Sequence, residues 1–80
     1  MKYEFLTPDK NNVELGDLLV SEFSNRTMLM PIVRIEEKGV IAKSGSKSRG
    51  CSYERAIILQ KDGIGYLVGK KIIDVFNQKS

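Results

Sequence analysis

The residues best suited to chemistry lie in one stretch, "AKSGSKSRGCSYERA", at positions 42–56. Gly45 and Gly50 have the G-x-x-x-x-G spacing of a phosphate-gripping loop and follow an apolar run. Such a loop continues with lysine and then serine or threonine, the lysine reaching the β- and γ-phosphates and the hydroxyl holding magnesium. Cys51 stands where the lysine belongs, and only Ser52 fits. The segment that follows reads as a strand, so no helix N-terminus completes an anion site. "GIGYLVG" at 63–69 fails in the same way as a dinucleotide fingerprint. Its spacing is G-x-G-x-x-x-G, and a β-rich segment stands where a helix should open.

Acid–base catalysis needs carboxylates or histidines gathered in a cleft, and this chain has no histidine. Glu36 and Glu37 are neighbours, which on a strand face opposite ways. Asp17, Asp62 and Asp74 lie beside glycine or among mixed charges, as turn and surface residues do. No metal-ligand spacing occurs. The expectation is a protein that is not an enzyme and uses no cofactor or metal. Cys51 is the lone cysteine, flanked at a distance by Arg49 and Arg55, whose charge lowers a thiol pKa. Its position entering an apolar run suits a small packing residue better than a redox group.

What remains is a basic cluster of Lys38, Lys43, Lys47, Arg49 and Arg55, broken by Glu54, with Tyr53 inside it. Lys70 and Lys71 extend it if the last segment returns toward the loop. Lysine and arginine neutralise phosphates, serine hydroxyls and glycine N–H groups bond phosphate oxygens, and an aromatic ring stacks a base. The first expectation is therefore a domain that binds RNA or single-stranded DNA, with Tyr53 and Tyr66 as stacking rings. The second is a small adaptor or inhibitor docking on an acidic protein surface, using the loop and exposed Met28 and Met30. A merely solvated connection between strands has the same composition.

The totals bound these readings. Eighty residues make one small domain, 1–80, whose thin core leaves homo-oligomerisation open. An apolar fraction of 41% and a charged fraction of 29% describe a globular chain. The net charge of +3 is unevenly spread: positions 1–25 sum to −3 and positions 26–80 to +6. With one cysteine there is no internal disulfide, the amino terminus has no apolar signal core, and no run approaches the roughly 18 apolar residues of a membrane span. A cytoplasmic protein without membrane contact is expected.

Short runs rich in valine, isoleucine and leucine, separated by turn residues about every ten positions, predict an all-β, mainly antiparallel fold. The runs are "KYEF", 18–23, a bent strand in "MLMPIVRIEE", "VIAK", "YERAIILQ" and "IGYLVG". Pro31 cannot donate to a ladder and belongs at an edge or bulge. Lys38–Gly39 and Asp62–Gly63 mark hairpin turns, and residues 43–52 read as a mobile basic loop. The tail "GKKIIDVFNQK" is ambiguous, since Ile72, Val75 and Phe76 have helical spacing while its β-branched content leans toward a strand.

Five or six strands suggest a small half-open barrel. "ELGDLLV" resembles the Gly-Asp approach to the first strand of SH3-like barrels. The short, lysine- and isoleucine-rich chain with one cysteine is also similar in general appearance to accessory proteins that phages make to modify host machinery. That resemblance implies a host protein as the docking target.

Overall fold

The computed structural model describes residues 6–62 and 65–78. Six strands form one sheet: β1 (Leu18–Phe23), β2 (Arg26–Ile35), β3 (Gly39–Ser44), β4 (Lys47–Ser52), β5 (Ile57–Leu59) and β6 (Tyr66–Val68), followed by the helix α1 (Lys70–Gln78). Their order is β4-β3-β2-β1-β5-β6, and every ladder between them is antiparallel. The expected all-β class holds. Among the described residues no ladder joins the edge strands β4 and β6, so backbone pairing does not close the sheet into a barrel. The expected strand in "KYEF" lies outside the described residues.

The β1–β2 hairpin turns on Ser24 and Asn25, both with positive φ, 44° and 68°. Two such residues between the paired Phe23 and Arg26 make a type I′ turn, whose twist matches that of the strands. This fixes the register and with it the bend in β2. Counting from the hydrogen-bonded pair Phe23–Arg26, Pro31 opposite Leu18 falls at a position whose N–H would point away from β1, toward β3. Proline has none to offer. The β2–β3 ladder accordingly stops at Ile32–Ala42, with Val33 an extra residue between the pairs Ile32–Ala42 and Arg34–Ile41. Beyond Ala42 the β3–β4 ribbon leaves β2 and continues alone.

Alternation sends Leu19 and Ser21 of β1, Met30 and Ile32 of β2, Val40 and Ala42 of β3, Ile58 of β5 and Leu67 of β6 to one buried face. Val13 and Ala56 complete that core, and Phe23, Met28, Ile35, Cys51 and Tyr53 pack against it. Met30, expected on the surface, is fully buried, and Met28 is half-buried. Both fill the core.

One polar residue ties the layers together. Asp17 is 2% exposed, and its carboxylate accepts the N–H of Glu14 and that of Lys61, each at 2.9 Å. Its own carbonyl accepts Ile32 N–H at 2.8 Å, so the approach to β1 is fixed to β2 and to the β5–β6 connection at once.

The tail is a helix, against the lean toward a strand. Gly69 carbonyl accepts the N–H groups of Ile72 and Ile73, opening α1 where the chain crosses closely over the turn at 53–55. The expected strand over 53–60 is shortened by that turn and begins only at Ile57.

Candidate functional site

Residues 43–52 are not a mobile loop. They form the end of β3, a two-residue turn at Gly45 and Ser46, and β4, with Lys43 opposite Ser48 and Ser44 opposite Lys47. Gly45 has φ +61°, as the first central residue of a type II′ turn does. Lysine, serine and glycine are poor strand formers by composition, and here cross-strand pairing to the apolar β3 overrides that preference.

Pairing also sorts the basic residues by face. Val40 and Ala42 point into the core, so their partners Cys51 and Arg49, and by alternation Lys47, lie on the concave side of the curled sheet. Lys43 and Ser48 lie on the convex side. At the open end of the concave face stands Phe23, the last residue of β1, half-buried against the core. Lys47 Nζ sits 5.2 Å and Arg49 Cζ 5.5 Å from its ring centroid. Arg49 Nη1 also donates to Glu22 O at 3.4 Å. Side chains of an edge strand thus meet β1, a strand three places away in the sheet. Each cation–π contact at such an exposed place is worth about 0.5–1 kcal/mol. No acidic residue occurs from 39 to 53.

The other expected members lie elsewhere. Tyr53, expected to stack a base, is half-buried, and its hydroxyl donates to Glu36 O. Burial, with the charges of Asp9 and Glu37, holds its phenol above the usual pKa. Its ring packs against the core. Lys38 is exposed in the turn that Tyr53 braces, its carbonyl accepting Tyr53 N–H at 3.2 Å. Tyr66, the second expected ring, is half-exposed on β6 opposite Leu59, away from the concave face. Arg55 and Lys71 line a shallow pit of about 320 Å³ floored by Ile72 and Val75 of α1, and Lys71 pairs with Glu54 at 3.5 Å. Lys70 is exposed at the start of that helix.

Eight residues expected in one patch therefore divide. Lys47 and Arg49 stand together over Phe23, Lys43 stands behind them on the ribbon, and Arg55, Lys70 and Lys71 gather around the turn–helix junction. Phe23 was not anticipated as a site residue. The one sequence signal for it is an aromatic ending a strand, two residues from the core serine Ser21, just before a tight turn.

Cys51 packs inward on β4. Burial raises its thiol pKa and outweighs the opposing pull of Arg49 and Arg55, so the environment does not activate it. Among the described residues no group of three histidine, cysteine, aspartate or glutamate side chains could hold a metal ion, and no helix is long and apolar enough to cross a membrane. No protein-family model, curated protein or solved structure matches this chain.

Proposed function

We propose that the protein is a small, non-enzymatic module that binds RNA or single-stranded DNA through the β3–β4 ribbon. The observation that carries this reading is the pair of cations, Lys47 and Arg49, held over the ring of Phe23, neither of them in an ion pair among the described residues. On binding, the two cations move from the ring to neighbouring phosphates, and an unstacked base takes their place against Phe23. Lys43, on the back of the ribbon, meets a third phosphate as the strand passes the turn. The serine hydroxyls at positions 44, 46 and 48 are close enough along the ribbon to bond phosphate oxygens.

Fluorescence anisotropy with a labelled single-stranded oligonucleotide at low salt is the test. Lys47→Ala with Arg49→Ala is expected to weaken binding about tenfold or more, as two lost phosphate contacts do. Phe23→Leu keeps the core filled and removes the π face, and is expected to weaken binding about fivefold to a hundredfold, the range of one lost stacking contact. Tyr66→Ala and Tyr66→Leu, on β6, are expected to change nothing. If the wild-type chain binds no oligonucleotide at low salt, or if the Phe23 and Lys47/Arg49 variants bind as well as it does, the reading is wrong.

A further inference from the structure

The β3–β4 ribbon carries a second kind of recognition group, its backbone. In a two-residue hairpin the pair flanking the turn, Ser44 and Lys47, is hydrogen-bonded, and hydrogen-bonded and open pairs alternate from there. Lys43–Ser48, Ile41–Gly50 and Gly39–Ser52 are therefore the open pairs. The bond from Tyr53 N–H to Lys38 O, one step further on, has the parity this count requires. The N–H and C=O groups of Ser48, Gly50 and Ser52 thus point away from β3.

They point to solvent. β4 is the last strand in the sheet order, and all three residues are exposed. Among the described residues, only Ser52 O of these six groups has a backbone partner, the Arg55 N–H at 3.1 Å. Edges of this kind are ordinarily blunted by proline, a bulge or charge. β4 has no proline and its ladder to β3 has no bulge, so among the described residues its protection is the charge of Lys47 and Arg49. That charge opposes pairing with a second copy of β4, which would bring four cations together. It favours a strand of opposite sign.

We infer that β4 is an edge to which an extended acidic segment of a partner protein adds as a seventh strand. Carboxylates at alternate positions of that segment face Lys47 and Arg49, and the small residues Ser48 and Gly50 leave room for bulkier side chains on the other face. Because the same two cations are proposed to grip nucleic acid, the acidic strand and the oligonucleotide exclude one another. The antagonism rests on the nucleic-acid reading; the strand addition rests on backbone geometry and is independent of it.

The test uses the whole chain and a blocked peptide of about ten residues, the length of a long strand, alternating glutamate and threonine. One control peptide has lysine for glutamate, and another has proline at alternate threonines, which removes backbone donors. Saturation with the glutamate peptide is expected to slow amide exchange at Ser48, Gly50 and Ser52 about tenfold or more. Ser48→Pro, which removes an outward N–H while sparing the ladder to β3, is expected to weaken the peptide about fivefold to tenfold. If circular dichroism shows that variant unfolded, the proline peptide asks the same question from the partner's side.

Equal binding by the proline peptide, or a bound glutamate peptide without protection at those three amides, would mean attraction by charge alone and overturn strand addition. Equal binding by the lysine peptide would overturn the acidic assignment. Simultaneous binding of peptide and oligonucleotide would overturn the antagonism. An oligonucleotide that never binds would remove the nucleic-acid reading and leave strand addition standing.

Discussion

Gly69→Ala is expected to lower the free energy of unfolding by about 3 kcal/mol, the upper part of the range for a forced atom in a packed site. A β-carbon at this position would lie 2.2 Å from Glu54 O, 2.4 Å from Glu54 C and 2.6 Å from Tyr53 O. All three are backbone atoms, so no side chain can swing aside to make room. The contact cannot simply loosen either. Gly69 N–H donates to Ala56 O at 2.7 Å and Lys71 N–H to Glu54 O at 3.2 Å, so the same two segments are bonded on both sides of the clash. Relief requires either breaking these bonds or moving the start of α1 off the turn at 53–55. For a domain of this size the loss corresponds to a fall in melting temperature of roughly 12–24 °C. Gly50→Ala is the matched control, since its β-carbon would come no closer than 3.9 Å to Val40 O. It is expected to leave stability within about 0.5 kcal/mol of the wild type. Equal melting temperatures for the two variants would refute the close crossing.

Asp17→Ala is expected to cost about 2–4 kcal/mol, read from urea denaturation at constant m-value. The substitution removes the acceptor for two backbone N–H groups at once, those of Glu14 and Lys61. An unsatisfied buried donor costs about 1–3 kcal/mol, and water reaching the exposed Lys61 reduces its share. Asp17→Asn keeps one carbonyl oxygen but turns an N–H₂ toward the other donor, so about half the loss should return. An Asp17→Ala variant as stable as the wild type would show that Asp17 is a turn residue and nothing more. The sequence alone gives that lesser account, because Gly16-Asp17 before an apolar run looks like an ordinary bend. Its burial depends on Lys61, forty-four positions away, and no local pattern reports such a distance.

The legible parts of the fold are those fixed by local rules. The bounds of β1 follow from its apolar run, and the composition of "SNRT" at 24–27 signals the turn after it, although Arg26 and Thr27 already belong to β2. Pro31 belongs at an irregularity because it lacks an N–H, and the ladder to β3 ends beside it at Ile32. At 43–52 serine, glycine and lysine signal a loop, whereas pairing with "VIAK" decides that the segment is a ribbon. One local sign of that pairing was present: Lys47, Arg49 and Cys51 alternate with Ser48, Gly50 and Ser52, the period of a strand. The tail became a helix where periodicity and β-branching disagreed, and Gly69, by opening α1 over the turn at 53–55, turns the chain away from the sheet.

The candidate site was legible in charge and illegible in geometry. Lys47 and Arg49 were expected to act together and do lie together over one ring. Lys43 was expected beside them, but strand alternation puts it on the opposite face. Tyr53 is the natural stacking ring by sequence proximity, yet its hydroxyl is committed to Glu36 O, and the ring beside the cations is Phe23, from β1, three strands away in the sheet. That contact spans three strands and so depends on strand order and register, which no local pattern reports.

Lys47 and Arg49, over the Phe23 ring, are the residues proposed to carry a contact with nucleic acid. The salt dependence of binding to a single-stranded oligonucleotide tests it most directly. With contacts from Lys43, Lys47 and Arg49, a plot of log affinity against log salt should fall with a slope of roughly −2, at about 0.7 per phosphate on single strands. The Lys47→Ala, Arg49→Ala double variant should retain a slope of only about −0.7. A wild-type slope near zero, or the same slope in both proteins, would contradict the account.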